Sequence, residues 1–243
     1  MNLDGKTILV VGGATGIGQA TALLCAQRGA DVIVADFNEA EGQASAGKAN
    51  GTFVSVDVTD EASVKAMAAR IASSHGKLDA LVQTAGILKG AYVSLEDFEL
   101  ATLRQVMDVN TIGSFLCAKY TAPLLKKGQM PAIILLSSPA AYGVSSSYAY
   151  AMSKGGVSAL GTTMAGKLAP EGIRVNVLFP GGINTVMKRS VIEEDALRKG
   201  EDPQAAVEAA QSRGLGEPSG VAKVLAFLVS DEADYVRGSV HTR

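Results

Sequence analysis

Short apolar runs alternate with stretches of helical periodicity along the chain, and together they predict its fold. The runs are rich in Val, Ile and Leu, which is typical of strands buried on both faces of a parallel sheet. They occupy residues 7–13, 31–37, 52–58, 78–86, 132–138 and 173–181. Helical patterns cover residues 18–29, 60–76, 95–127 (with a boundary near Asn110) and 219–231, and a further helix carries Tyr150 and Lys154.

This alternation predicts an α/β fold: a single doubly wound Rossmann-type domain with a mostly parallel sheet and helices on both faces. We expect the domain to span residues 1–243, because no linker, repeat or low-complexity tract interrupts the pattern. A polar segment precedes the last helix. Its residues 186–213 are predicted to form a lid over the substrate.

Composition excludes several classes of function. The 22 Lys and Arg residues nearly balance 24 Asp and Glu residues, so the formal charge of −2 provides no attraction to nucleic acid or an anionic membrane. No apolar stretch is long enough to span a bilayer, and no signal peptide is visible. We expect Cys25 and Cys117 to be buried and reduced, as in a cytoplasmic protein. The histidines His75 and His241 form no cluster with acids or cysteines, so no metal site is predicted.

The turn after the first strand has the chemistry of a phosphate-binding loop. Gly12, Gly16 and Gly18 stand between the strand and the first helix, together with Thr15 and Ile17. Glycine lets the backbone approach a pyrophosphate closely, and the following helix offers unpaired N–H groups and the positive end of its dipole. These five residues are therefore candidates for binding a dinucleotide.

An acid at the end of the second strand indicates which dinucleotide is bound. The carboxylate of Asp36 can accept hydrogen bonds from the ribose hydroxyls of NAD, and it would repel the 2′-phosphate of NADP. The neighbours Phe37 and Asn38 are not basic, and neither is the glycine loop. The pattern therefore favours NAD, although an acid here could also simply cap a turn.

Two tyrosines precede a lysine in the helix after the fifth strand, and helical geometry distinguishes them. A helix turns about 100° per residue, so Tyr150 and Lys154 lie about 40° apart on one face, whereas Tyr148 lies about 120° from Lys154. An ammonium group beside the phenol favours the phenolate and lowers its pKa towards working pH. Tyr150 is therefore the candidate general acid/base.

These features together resemble the short-chain dehydrogenase/reductase family over almost the whole chain. The matching positions are Gly12-x-x-x-Gly16-Ile17-Gly18, Asp36, Asp57, Thr84–Gly86, Asn110, Ser137–Ser138, Tyr150-x-x-x-Lys154 and residues 174–185. The resemblance implies a nicotinamide-dependent oxidoreductase that acts on a small alcohol or ketone. It also implies a homotetramer or homodimer, with helices around residues 110–120 and 150–168 pairing between subunits.

The resemblance also implies a role for each matching residue. Tyr150 would be the acid/base, Lys154 would lower its pKa and hold the nicotinamide ribose, and Asn110 would help to hold a proton-relaying water. The remaining cofactor positions would be Asp57 and Val58 at the adenine, Ala85 and Gly86 in the cleft, and Pro180, Gly181, Ile183 and Thr185 around the nicotinamide amide. Simpler roles exist for three of these residues: Asp57 as a turn acid, Asn110 as a helix breaker and Thr185 as an N-cap.

The resemblance leaves two candidates for the serine that binds the substrate oxygen. Counting back from Tyr150 by the family's usual spacing selects Ser137, whereas the second residue of the Ser-Ser pair is Ser138. Loops tolerate deletions, but a one-residue slip in a strand turns every side chain to the opposite face. We therefore expect Ser138 to be the catalytic serine.

The sequence departs from the family's pattern at a few points. Val11 stands where a Thr is common, Gln83 and Thr84 replace a pair of asparagines that brace the sheet, and the loop between the serines and Tyr150 is one residue shorter. The chain ends at "GSVHTR" instead of continuing to Asp-Gly-Gly, which leaves the last strand in doubt.

The sequence therefore predicts an NAD-dependent enzyme that interconverts a secondary alcohol and a ketone. The alternatives are an NADPH-dependent 3-oxoacyl carrier reductase, against which Asp36 argues, and a nucleotide-binding regulator without activity, against which the intact Ser, Tyr, Lys and Asn set argues. The lid contains Lys188, Arg189, Arg198 and Lys199, which could attract an anionic substrate or simply form a solvated helix face.

Overall fold

A parallel sheet forms the centre of the protein in the computed structural model, which describes residues 1–143 and 145–242. The strands are ordered β3-β2-β1-β4-β5-β6-β7, and each neighbouring pair is parallel. Their bounds are β1 Thr7–Val11, β2 Asp31–Asp36, β3 Thr52–Ser55, β4 Ala80–Gln83, β5 Ala132–Leu136, β6 Arg174–Phe179 and β7 Gly238–His241. The predicted Rossmann-type α/β fold is confirmed.

Helices cover both faces of this sheet. They are α1 Gly16–Gln27, α2 Glu39–Lys48, α3 Glu61–Ser74, α4 Leu100–Met107, α5 Gly113–Leu125, α6 Tyr148–Leu168, α7 Val186–Lys199, α8 Pro203–Ser212 and α9 Pro218–Val229. No helix in the described part of the chain is both long and apolar enough to cross a membrane.

Alternate strand residues divide the apolar core into two layers. Leu9 and Val11 face a layer built from α3, α5 and α6, whereas Ile8 and Val10 face one built from α1, α2 and α9. Each layer contains a cysteine, and both thiols are free. Burial raises the pKa of Cys25 and of Cys117 to about 12, so neither thiol is a nucleophile at neutral pH.

Several elements differ from the sequence prediction, and α2 and β3 are two of them. Helix α2 was not predicted, because its buried positions Gly42, Ser45 and Ala46 are small and give no apolar periodicity. Asn38 caps this helix by accepting a hydrogen bond from Glu41 N, at 3.2 Å. Strand β3 ends at Ser55 instead of residue 58, because the chain there turns towards α3.

The last strand, which the shortened C-terminus left in doubt, is present as β7. It pairs with β6 through four residue pairs, from Asn176↔Gly238 to Phe179↔His241. The His241 ring stacks on the Phe179 ring with 4.5 Å between ring centroids. The Tyr142 ring also stacks on Phe179, with 5.4 Å between ring centroids. This aromatic stack joins β7 to the segment that follows Ser138.

Gln83 and Thr84, which stand at the end of β4 in place of the family's usual asparagines, make different contacts. Thr84 Oγ1 donates to Val11 O at 2.7 Å and so ties β4 to β1, as a bracing side chain should. The amide of Gln83, by contrast, is buried with neither its oxygen nor its nitrogen bonded to any described residue. An unpaired buried amide costs about 1–3 kcal/mol of stability.

We therefore expect Gln83→Met to stabilise the protein by about 1–2 kcal/mol, because it keeps the side chain's length and removes the unpaired polar atoms. Thermal unfolding should show the melting temperature rising by about 2–6 °C. Thr84→Val, which removes a made hydrogen bond at the next position, should lower it. A lower melting temperature for Gln83→Met would show that the amide has a polar partner.

Candidate active site

The carboxyl ends of the strands border one cleft of about 1220 Å³. This volume exceeds the roughly 300–1,000 Å³ of a site for one small ligand, so a dinucleotide and a second molecule fit together. The predicted site residues that line the cleft are Gly12, Thr15, Gly16, Ile17, Gly18, Asp36, Asp57, Val58, Ala85, Gly86, Ser138, Tyr150, Lys154, Pro180, Gly181, Ile183 and Thr185. Asn110 lies behind this lining.

The glycine loop passes close to β4, which explains two of its glycines. Gly12 has a φ of 80°, and a Cβ on it would overlap the backbone nitrogen of Ala85. A Cβ on Gly18 would overlap the carbonyl oxygen of Gly12. Helix α1 begins at Gly16, so its unpaired N–H groups face the cleft from within the loop. The loop therefore fits a diphosphate.

Asp36 lies where β2 ends, and its carboxylate is held by backbone groups. One oxygen accepts from Ala14 N at 3.0 Å, and the other accepts from Asn38 N at 2.9 Å. Phe37 is 75% exposed beside it. The acid is thus fixed next to the glycine loop with no basic side chain on either neighbouring residue.

The helix α6 directs its two tyrosines differently. Tyr150 lines the cleft, and the Nζ of Lys154 lies 5.6 Å from its ring centroid. Tyr148 packs edge-to-face on Phe98, with 5.6 Å between ring centroids, and is 47% exposed. The structure therefore places Tyr150, and not Tyr148, with the lysine in the cleft.

Burial affects the protonation of both members of this pair. Burial raises the pKa of Tyr150 above its ordinary value, and a hydrogen-bonding interaction with the Ser138 side chain acts in the opposite direction. Lys154 is buried, and desolvation lowers its own pKa to about 8. Its Nζ donates to Leu136 O at 2.8 Å and lies 5.6 Å from the centroid of the Tyr150 ring. That Lys154 lowers the pKa of the phenol stays a prediction.

The two serines after β5 face different groups. The buried Ser137 Oγ donates to Lys154 O at 2.8 Å and so joins β5 to α6. The Ser138 side chain interacts with the Tyr150 phenol, and its Oγ also accepts from Ala140 N at 3.2 Å. Both serines line the cleft, and of the two it is Ser138 whose side chain interacts with the candidate acid/base.

Asn110 lies in a π-helical turn, Asp108–Ile112, between α4 and α5. Its Oδ1 accepts from Ile87 N at 2.8 Å, and its Nδ2 donates to Ile87 O at 2.9 Å and to Ser153 Oγ at 2.9 Å. A Cβ on Gly86 would lie 3.2 Å from Asn110 Oδ1 and 3.5 Å from Lys154 Nζ. Glycine at this position therefore leaves open the approach between the amide and the ammonium group.

Asp57 and Thr185, two of the three residues with simpler alternative roles, also fill those roles. Asp57 Oδ1 accepts from the backbone and the hydroxyl of Thr59, at 2.9 and 2.7 Å, as a turn acid does. Thr185 is the N-cap of α7, and its Oγ1 accepts from Lys188 N at 3.2 Å. Both still line the cleft, so the structural role does not remove them from the site.

The segment predicted to be a lid, residues 186–213, contains α7 and α8, and several of its residues border the cleft. The lining residues from α7 are Val186, Met187, Lys188 and Val191. Helix α4 contributes Ala101 and Gln105 to the same lining. The apolar members were not among the site residues predicted from the sequence. The four-residue spacing of Met187 and Val191 on one helix face was the available signal.

Comparison with known proteins then identifies the family. Residues 12–242 match the family described as "Enoyl-(Acyl carrier protein) reductase". The chain is 36% identical over 253 residues to the 3-oxoacyl-[acyl-carrier-protein] reductase FabG of Thermotoga maritima, covering 99% of this chain and 96% of that protein. This chain belongs to the short-chain dehydrogenase/reductase family. The protein is thus an oxidoreductase whose family binds a nicotinamide dinucleotide.

Other members of the short-chain dehydrogenase/reductase family are similarly related. A 2,5-dichloro-2,5-cyclohexadiene-1,4-diol dehydrogenase of Sphingobium indicum is 36% identical over 244 residues, covering 98% of this chain and 95% of that enzyme. The crystal structure of levodione reductase superposes with a TM-score of 0.89 at 29% identity, covering 99% of this chain and 96% of that one. The names of these relatives refer to different substrates, so similarity alone does not identify the substrate of this protein.

Proposed function

We propose that the protein interconverts a secondary alcohol and a ketone with NAD as the hydride carrier. The observation that carries this proposal is the placement of Ser138, Tyr150 and Lys154 in one cleft with the glycine loop and Asp36. The close backbone packing of the loop and the start of α1 suit a diphosphate, so these residues fit the dinucleotide. When bound, the nicotinamide ring supplies or accepts the hydride.

The residues of the chain would handle the proton. Tyr150 would take the proton from the alcohol oxygen in oxidation and return it to the carbonyl oxygen in reduction. Ser138 would donate a hydrogen bond to that oxygen and stabilise its developing charge. Lys154 would hold the nicotinamide ribose, and Asn110 would keep the backbone of Ile87 in position while it supports a proton-relaying water.

The direct test is turnover of a panel of cyclic alcohols, sterols, sugars and hydroxyacyl thioesters with NAD. Oxidation of at least one of these classes by NAD, or reduction of the corresponding ketones by NADH, is the expected result. Binding of NADH without turnover of any class would support the inactive nucleotide-binding regulator instead.

A second candidate function is an NADPH-dependent 3-oxoacyl carrier reductase. The observation in its favour is the 36% identity to the Thermotoga maritima enzyme of that name. The Asp36 carboxylate opposes it, because a fixed negative charge beside the ribose repels a 2′-phosphate. An acetoacetyl thioester with NADPH and with NADH would distinguish the two functions.

We expect kcat/KM to favour NAD over NADP by at least about tenfold, or about 1.4 kcal/mol. Asp36→Ala should narrow this ratio, because it weakens the ribose contacts of NAD and relieves the repulsion of NADP. Asp57→Ala is the matched control: it removes an acid from the end of the next strand and should affect both cofactors alike. Equal efficiency of the parent with NAD and NADP would contradict the assignment.

We also propose that the protein assembles as a homotetramer or homodimer. The apolar side chains of Ile112 in the π-helical turn, Phe115 in α5 and Met152 in α6 are 46%, 44% and 53% exposed. These are the segments that the family resemblance implies pair between subunits. Sedimentation of the parent and of a Phe115→Asp variant would test this interface.

A further inference from the structure

One cation at the start of the lid helix α7 has no partner of its own. Among the four cations of that helix, Arg189 Nη1 donates to Asn184 Oδ1 at 2.9 Å, and Arg198 and Lys199 both pair with Asp195, at 2.8 and 2.6 Å. The Lys188 ammonium makes no hydrogen bond or ion pair with residues 1–143 or 145–242. It is also partly buried and lines the cleft.

The start of α7, with Lys188 in its first turn, lies beside the glycine loop. A Cβ on Gly16, in the glycine loop, would lie 3.5 Å from Thr185 Cγ2. Thr185 is the N-cap of α7, and Lys188 is in the first turn of that helix. The first turns of α1 and α7 therefore approach each other, and each presents unpaired N–H groups at its start.

The glycine loop itself carries no formal charge to balance a diphosphate. Residues 12–19 contain no Lys, Arg, Asp or Glu, and the first turn of α1 has no acidic side chain. The other cations of the cleft are placed elsewhere: Lys154 is bonded to Leu136 O, Lys89 to Gln105, and Arg104 is exposed on α4. If backbone N–H groups at the starts of α1 and α7 bound an anion, Lys188 would be the cationic side chain that balances its charge.

We propose that Lys188 binds the diphosphate of the dinucleotide from the lid side, opposite the glycine loop. This inference rests on the proposed dinucleotide function of the cleft. Because the cation belongs to the lid, cofactor binding would also pull α7 against the glycine loop. Lys188 would thus be a cofactor-binding residue that couples the lid to the bound dinucleotide. The sequence alone suggested instead that it lies on a solvated helix face or attracts an anionic substrate.

The test measures binding without turnover, with NADH followed by fluorescence and ADP-ribose by calorimetry. ADP-ribose carries the diphosphate and lacks the nicotinamide. Lys188→Ala should raise the dissociation constants of both ligands by about tenfold at low salt, since a cation–phosphate pair is charge-assisted, and by less at high salt because the pair is screened. Lys188→Arg should restore most of the affinity.

Lys199→Ala is the matched control, because it removes the same side chain from the same helix at a site already paired with Asp195. It should leave both dissociation constants within about twofold of the parent. Unchanged ADP-ribose affinity in folded Lys188→Ala would overturn the inference, and a raised KM for an anionic substrate alone would assign the lysine to the substrate. Failure of the parent to bind NADH or ADP-ribose would instead overturn the proposed function of the cleft.

Discussion

Replacing Tyr150 with Phe is expected to lower kcat by about 10²–10⁴-fold, because general acid–base groups contribute a factor of this size and no other phenol among the described residues lines the cleft. Tyr150 lines the cleft beside Lys154, whereas Tyr148 packs on Phe98 and is half-exposed. The phenylalanine keeps the ring and its packing. NADH affinity should therefore stay within about twofold of the parent, as measured by fluorescence titration.

Tyr148→Phe is the control for this prediction, since it makes the same chemical change two residues away in the same helix. Its kcat should stay within a few-fold of the parent. If Tyr148→Phe abolished turnover while Tyr150→Phe retained it, the assignment of the acid/base would be reversed. Melting temperatures of both variants would separate a catalytic loss from a folding defect.

Replacing Ser138 with Ala is expected to lower kcat by about 10²–10³-fold, the usual cost of losing one donor to a developing oxyanion. It should also change the pH profile. The Ser138 side chain lowers the pKa of Tyr150, so its removal raises that pKa. Alcohol oxidation needs the phenolate, which forms as pH rises through the pKa. The rising limb of kcat/KM should therefore move to higher pH in Ser138→Ala.

Ser137→Ala provides the contrasting variant. It removes the bond from Ser137 Oγ to Lys154 O and should cost about 1 kcal/mol of stability with kcat within a few-fold of the parent. Its pH profile should match that of the parent. The reverse pattern, a large loss for Ser137→Ala and a small one for Ser138→Ala, would transfer the catalytic role to Ser137.

Much of the fold follows from local pattern, and the exceptions have local causes. The apolar runs within β1, β2 and β5 are continuous because both faces of those strands are covered, so their positions were predictable. Helix α3 was predictable because Val64, Met67 and Ile71 repeat at helical spacing. Helix α2 was not, because it packs through small residues that carry no periodic signal, with Gly42 against the Phe53 ring.

Some features of the candidate site could likewise be predicted from the sequence. Helical spacing alone separated Tyr150 from Tyr148, because four residues along a helix share a face and this relation survives any tertiary arrangement. The sequence likewise placed the glycine loop and Asp36 after strands, and the carboxyl ends of parallel strands meet at one edge of the sheet.

The pKa values and the partners of charged groups needed the tertiary structure. Desolvation depends on every neighbour that covers a group, so burial raised the pKa of Tyr150 although a lysine lies one turn away. The partners of the cations on α7 also needed the tertiary structure. Asn184 bonds to Arg189 and Asp195 pairs with Arg198 and Lys199, so neither of these acceptors is bonded to Lys188. By itself the sequence determined the α/β fold and the tyrosine that shares a helix face with Lys154, because both depend on short-range periodicity. Only the tertiary structure decided that Ser138 interacts with the phenol, and that Gln83 and the cleft-lining Lys188 have no side-chain partner among the described residues, because each depends on atoms distant in the chain.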